Sequence, residues 1–175
     1  VTVPNSSSTN ITEEAVARIN SYDFFKTDFL PYIKLENLMA AKRMDKEGLN
    51  VVYDKKKYDP TKGKWVRNMM SPKPTNQEAF SEYRRILNIS IDKKTGFVSV
   101  SIEHVSPILA ANWVSLIIEK INDRMRKLDK QLATESIKFL ESTSPTTNLQ
   151  QIRDTVAVLL EDQIQTLMLT EARKD

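Results

Sequence analysis

Apolar positions near the start of the chain recur at helical intervals. Ala15, Val16 and Ile19, followed by Phe24, Phe25 and Phe29, predict two short helices with a kink at Asn20 and Ser21 and a stop before Pro31. Ahead of them, Val1–Asn10 contains Ser6, Ser7, Ser8 and Thr9 in succession and reads as a mobile polar segment. Leu35, Leu38, Met39 and Met44 continue a helical stripe that Gly48 would end as a left-handed cap. From 50 to 74, Asp59-Pro60, Gly63, Pro72 and Pro74 punctuate a lysine-rich stretch, predicting a long loop with little regular structure. Lys55, Lys56 and Lys57, between Tyr53 and Tyr58, could meet phosphate or polysaccharide; a solvated basic loop is the plainer reading of such a run.

The second half is more regular. Thr75 followed by Glu78 is a capping box, because the hydroxyl can accept the third helical amide while the carboxylate reaches back to the cap amide. A helix therefore runs from there to about Leu87. Ile89 and Ile91, then Lys93-Lys94-Thr95-Gly96, then Val98, Val100 and Ile102 alternate with period two about a turn, which predicts a β-hairpin over 88–103 with one buried face. Ser106 then caps a helix whose first residue is Pro107, where the missing amide proton costs nothing. From Pro107 to Leu140 there is no internal Gly or Pro, and Ile117, Ile121, Met125, Leu128, Leu132 and Phe139 form a seam close to a heptad. Trp113, beside Leu116 and Ile117, should anchor the root of this helix to the sheet.

Thirty-four helical residues would reach about 50 Å, longer than the roughly 40 Å expected across a compact body of 175 residues. A second apolar stripe follows the break at Ser142–Pro145: Leu149, Ile152, Val156, Leu159, Leu160, Ile164 and Leu167. The expected class is thus α+β. A base, 1–106, combines a small sheet with packed helices, and 107–175 forms a long protruding antiparallel helical arm with its tip near 141–147.

Composition narrows the chemistry. The 26 Lys and Arg exceed the 23 Asp and Glu by only three, too small an excess spread over the chain to indicate nucleic acid. There is no cysteine and a single histidine, His104, which removes disulfides, thiolate nucleophiles and the usual zinc spacings. No phosphate-binding glycine loop, dinucleotide fingerprint or nucleophile elbow occurs, so neither cofactor, metal nor catalytic residue is assigned. Glu103 and His104 are adjacent near a strand end and point to opposite faces, which favours a structural role. Glu161, Asp162 and Glu171 read as a solvated helix face. No signal peptide and no apolar run of about 18 residues is present.

The run from Asp92 to Pro107, DKKTGFVSVSIEHVSP, with Ala110, Ala111, Trp113 and Ile121-Asn122 after it, resembles the chain-length determinant (Wzz-type polysaccharide co-polymerase) family. Ala15, Ile19, Ser21, Phe24 and Phe25, and Glu161, Gln163, Thr166, Leu167, Met168, Leu169 and Glu171, extend the similarity over most of the chain. The resemblance implies the periplasmic domain of a bacterial inner-membrane protein, held by two flanking membrane helices that this sequence lacks. Expected first and closing strands of the sheet are also missing. It further implies a non-enzymatic regulator of the chain length of lipopolysaccharide O-antigen or a related surface polymer. The expected partners are other copies in a ring, a polysaccharide polymerase and lipid-linked polysaccharide. Glu119, Asp123, Arg126, Lys127 and Lys130 lie off the apolar seam of the long helix and are the candidate oligomer contacts. A co-polymerase or exporter linked to a tyrosine kinase is the alternative. A periplasmic adaptor of an export pump fits less well, because lipoyl-like half-motifs need Gly-rich strands and the chain has three Gly.

Overall fold

The computed structural model describes residues 6–92, 94–143, 157–165 and 168. The chain divides into two compact units, Val1–Ile121 and Asn122–Asp175. The division falls inside the long helix, not at the Ser106–Pro107 junction.

In the first unit, α1 spans Ser6–Ile19, so Ser6–Asn10, expected to be mobile, are helical. Once the turn around Ala15–Ile19 forms, each added residue contributes a hydrogen bond at little extra cost, and polar residues can be drawn in. The expected kink is where the pattern put it. Ser21 is extended (φ −82°, ψ 150°) and its Oγ accepts from the Phe24 amide, starting α2, Tyr22–Phe24. A π turn, Phe25–Phe29, and a 3-10 turn, Leu30–Tyr32, continue it directly. The helical path therefore does not stop before Pro31, because proline fits the first turn of a new helical segment without a donor. The wide π turn matters for packing: Phe24, Phe25 and Phe29 are all fully buried.

Helix α3 covers only Leu35–Met39, and the stripe expected to run helically to Gly48 turns into a strand, β1, Ala41–Met44. β1 pairs antiparallel with β2, Val51–Tyr53, with a register irregularity between Ala41 and Arg43. Gly48, at φ +71°, serves the intervening turn and caps no helix. The β-branched Val51-Val52 needed a partner strand, and that demand overrode the local helical spacing. A second small hairpin, β3 (Tyr58–Asp59) with β4 (Lys64–Trp65), follows, so the supposed loop 50–74 carries three short strands, one paired back to β1 and two paired with each other. Their signal was hidden because strands of two or three residues show no alternation to read.

Helix α4, Asn76–Ile86, begins with both halves of the Thr75–Glu78 capping box in place. It passes directly into β5, Leu87–Ile91, which pairs with β6, Val98–Ile102, in the register Leu87↔Ile102, Ile89↔Val100, Ile91↔Val98. Gly96, at φ +74°, donates to Asp92 O at 2.7 Å and closes the turn; Lys93 lies outside the described residues. The hairpin face expected to be buried is only half so. Leu87, Ile89, Val100 and Ile102 are intermediate, while Ile91 and Val98 at the turn end are exposed, because no described element covers them.

Helix α5 runs from Pro107 to Thr143. Its seam is buried at Trp113, Ile117 and Ile121 within the first unit, whereas Leu132 and Phe139 in the second are 53% and 67% exposed. A strict heptad seam is therefore not maintained, and Ala133 is buried in the distal part. In the second unit, residues 157–165 are helical, with Leu160 and Gln163 half-buried. Residues 144–147 of the expected tip, and Leu149, Ile152, Val156 and Leu167 of the second stripe, lie outside the described residues.

The core of the first unit is a chain of rings. Tyr22 meets Phe80 edge-on at 5.4 Å, Phe80 meets Phe25 at 5.5 Å, Phe25 meets Tyr83 at 5.1 Å, Tyr83 meets Phe29 at 4.9 Å, and Phe29 meets Trp113 edge-on at 5.8 Å. Trp113 thus joins the root of the long helix to the aromatic π turn at Phe29 and to the His104 ring just beyond β6. The Tyr83 hydroxyl donates to Ile19 O at 3.0 Å, joining α4 to the end of α1, and burial holds its pKa well above the usual value.

Two outcomes follow. Tyr83→Phe should keep the packing and leave Ile19 O unpaired, lowering stability by about 1–3 kcal/mol in urea unfolding. Glu78, bonded by Arg67 and the Thr75 amide, has its carboxyl held down to about 2 from an ordinary 4.5. The contribution is therefore fully present above the unfolded value and lost as pH falls toward 2. The stability gap between wild type and Glu78→Gln should stay constant above about pH 5 and shrink below it, measured by thermal unfolding across acid pH.

Candidate functional site

The best-organised polar region lies where the hairpin hands over to α5. Asn37, on the short helix α3, works at two atoms: Oδ1 accepts from the Tyr53 hydroxyl at 2.6 Å and the backbone O lies 3.0 Å from His104 Nε2. On the other side of the imidazole, the Ser106 amide donates to Nδ1 at 3.1 Å. An amide is always a donor and a carbonyl always an acceptor, so this geometry calls for the tautomer with the proton on Nε2. The ring also packs against Trp113 at 4.8 Å. His104 is thus a strut tying α3 to the start of α5, and it has no ring nitrogen left over for acid-base work unless one of these bonds breaks.

Ser106 and Pro107 act as the sequence indicated. Ser106 is 3% exposed, its Oγ accepts from the Leu109 amide at 3.4 Å, and its carbonyl accepts from Ala110 at 3.0 Å. The Glu103 amide donates to Ile86 O at 2.9 Å, so the exit of β6 is bound to the end of α4.

Beside this junction is a cleft of about 300 Å³ lined by residues including Leu38, Glu82, Arg85, Glu103 and His104. Glu82 and Arg85 pair across one helical turn through contacts of 2.6 and 3.0 Å. That bonding lowers the Glu82 pKa against the opposing effect of burial and raises that of Arg85. The cleft therefore holds a neutralised ion pair, an exposed carboxylate at Glu103 and an imidazole spent on backbone. Such a set can hold strands and helices in register; among the described residues it juxtaposes no nucleophile with a base. Nor do the described residues contain a group of three or more metal-ligating side chains.

The five charges proposed from the sequence for subunit contacts all fall on α5. Glu119 is exposed and pairs with Lys120 at 3.1 Å, and Lys120 also lies 4.2 Å over the Tyr32 ring. Asp123 pairs with Arg126 one turn on. Lys127 and Lys130 are exposed, and the Lys130 carbonyl accepts from Thr134 Oγ at 2.7 Å. Spacings of four, three, one and three keep them within about 100° of one side of the helix, with some of the charge balanced locally. The Asn37 link escaped sequence reading, since an asparagine between two leucines of a short helix carries no distinguishing signal.

His104→Ala should strip both backbone partners at once and cost about 1–3 kcal/mol, seen as a lower urea midpoint, while His104→Phe should keep ring packing against Trp113 and still lose stability.

Compared with known proteins, the chain matches no family model, no curated protein and no solved structure. No helix among the described residues is long and apolar enough to cross a membrane.

Proposed function

We propose that this chain is the periplasmic part of a non-enzymatic regulator of surface polysaccharide length, of the chain-length determinant kind, working as an oligomeric scaffold for a separate polymerase. One observation carries this reading: the unbroken passage from β6 through His104 and the Ser106 cap into a 37-residue helix rooted by Trp113. That passage coincides with the residues on which the resemblance rests. In this reading the helix is the first half of an arm that stands out from a membrane-proximal base, and membrane spans flanking the chain hold it in the bilayer.

The stripe Glu119, Asp123, Arg126, Lys127 and Lys130 supplies a polar face for a neighbouring subunit. A head-to-tail contact of this sort closes into a ring when its rotation permits. Size and geometry, and not bond making, would then influence when the growing lipid-linked polymer is released from the polymerase.

Deleting the full-length gene in its host and sizing the surface polysaccharide on gels should abolish the preferred length while leaving polymer present. Loss of all polymer would favour an exporter or its kinase-linked relative instead. Arg126→Glu combined with Lys130→Glu in the membrane-embedded protein should change both subunit number and the length distribution; unchanged ladders with unchanged assembly would reject this face as the interface.

A further inference from the structure

The net charge of the chain is concentrated in one place. Between Asp54 and Val66 stand five lysines, Lys55, Lys56, Lys57, Lys62 and Lys64, against two aspartates, an excess of three. The whole chain, with 26 basic and 23 acidic side chains, has the same excess, so everything outside these thirteen residues is balanced.

The structure fixes this segment as a double turn. Asp54 Oδ1 accepts from the Lys56 amide at 3.0 Å, and Asp59 Oδ1 accepts from the amides of Thr61 and Lys62 at 2.9 and 3.3 Å. Gly63, at φ +62°, completes the second turn, and the Val66 amide donates to Lys57 O at 2.9 Å. Both aspartates are thus engaged by backbone. Lys57 donates to Met39 O at 3.2 Å. Lys55, Lys56, Lys62 and Lys64 are exposed, and among the described residues none of them forms an ion pair. Lys55, Asp59, Pro60, Thr61 and Val66 line one open cleft of about 420 Å³, which brings the two turns together in space.

The kind of polyanion is narrowed by the neighbours. Tyr58 meets Tyr53 edge-on at 5.3 Å and Trp65 at a tilt at 5.1 Å, and all three are half-buried, so none of these rings is presented whole as a platform for a sugar. Val66, 46% exposed, lines that cleft with Lys55, and Met69 at 59% and the wholly exposed Met70 follow it in the chain. Lysines act as unshared point charges, suited to a diffuse negative surface more than to one oriented phosphate. Cations beside exposed apolar groups match the boundary of an anionic bilayer, where headgroups attract the former and the acyl margin accepts the latter.

We propose that the double turn 54–66 docks on a bilayer surface bearing anionic lipid headgroups. Such docking is a property of this fold alone and requires neither ring assembly nor a polymerase.

Vesicle co-sedimentation of the full chain tests it. Vesicles of phosphatidylcholine with about 30% phosphatidylglycerol should bind at low salt and release the protein near 0.5 M salt, since screening shortens the reach of each charge to a few ångströms (roughly 4 Å). Pure phosphatidylcholine vesicles should bind far less. Changing Lys55, Lys56, Lys62 and Lys64 together to Gln should weaken binding by about fivefold per cation, roughly six-hundredfold in all. A matched variant with Lys26, Lys34, Lys94 and Lys138 changed to Gln should retain binding, with circular dichroism confirming that both variants fold. Equal loss in the two variants would overturn the proposal, as would equal binding to neutral vesicles. Capture by a soluble acidic polysaccharide with none by anionic vesicles would likewise overturn it.

Discussion

Ring-to-ring packing between the π turn, α4 and the root of α5 is the contact on which the first unit depends. Tyr83 lies at its centre, touching Phe25 and Phe29 while its hydroxyl reaches back to the end of α1. Many elements of the first unit are short: three residues in α2, five in the π turn, five in α3 and two or three in several strands. Helices and hairpins of that length do not persist alone in water. Large buried aromatic surfaces supply the missing stabilisation, and they do so between positions more than fifty residues apart in the chain.

The long helix inherits its placement from the same cluster. Trp113 touches both Phe29 and His104, and His104 in turn binds backbone from Asn37 and Ser106. A residue that might have been read as a catalytic base is thereby a connector, and the start of α5 is fixed by an aromatic wall on one side and a capped first turn on the other. This gives the proposed scaffold a firm root without asking any side chain for chemistry.

Charge is used in two ways. On the helices it is largely paired nearby, as in Arg18–Glu14, Arg85–Glu82 and Arg126–Asp123, or serves to tie a loop down, as Arg67 does at Glu78. Exposed pairs of this kind contribute little to stability. In the double turn the arrangement differs, because the aspartates serve backbone amides and leave four lysines to solvent. Charge with no structural task is what a partner surface can use.

The capping box, the Ser106–Pro107 start, the hairpin, read at 88–103 and found one residue earlier, and the uninterrupted helix from Pro107 were legible from sequence alone, since each depends on residues within a few positions of one another. Val51-Val52 could not be read as a strand, nor Met44 as its partner, because pairing depends on a second segment that period and propensity do not identify. Likewise, a lone histidine in sequence is compatible with chemistry or with support; only the approach of Asn37 O, contributed by an element sixty-seven residues away, consumed its second nitrogen. Short-range hydrogen bonding was written in the order of the residues, whereas ring contacts, strand partners and the availability of each polar atom were decided when distant segments met.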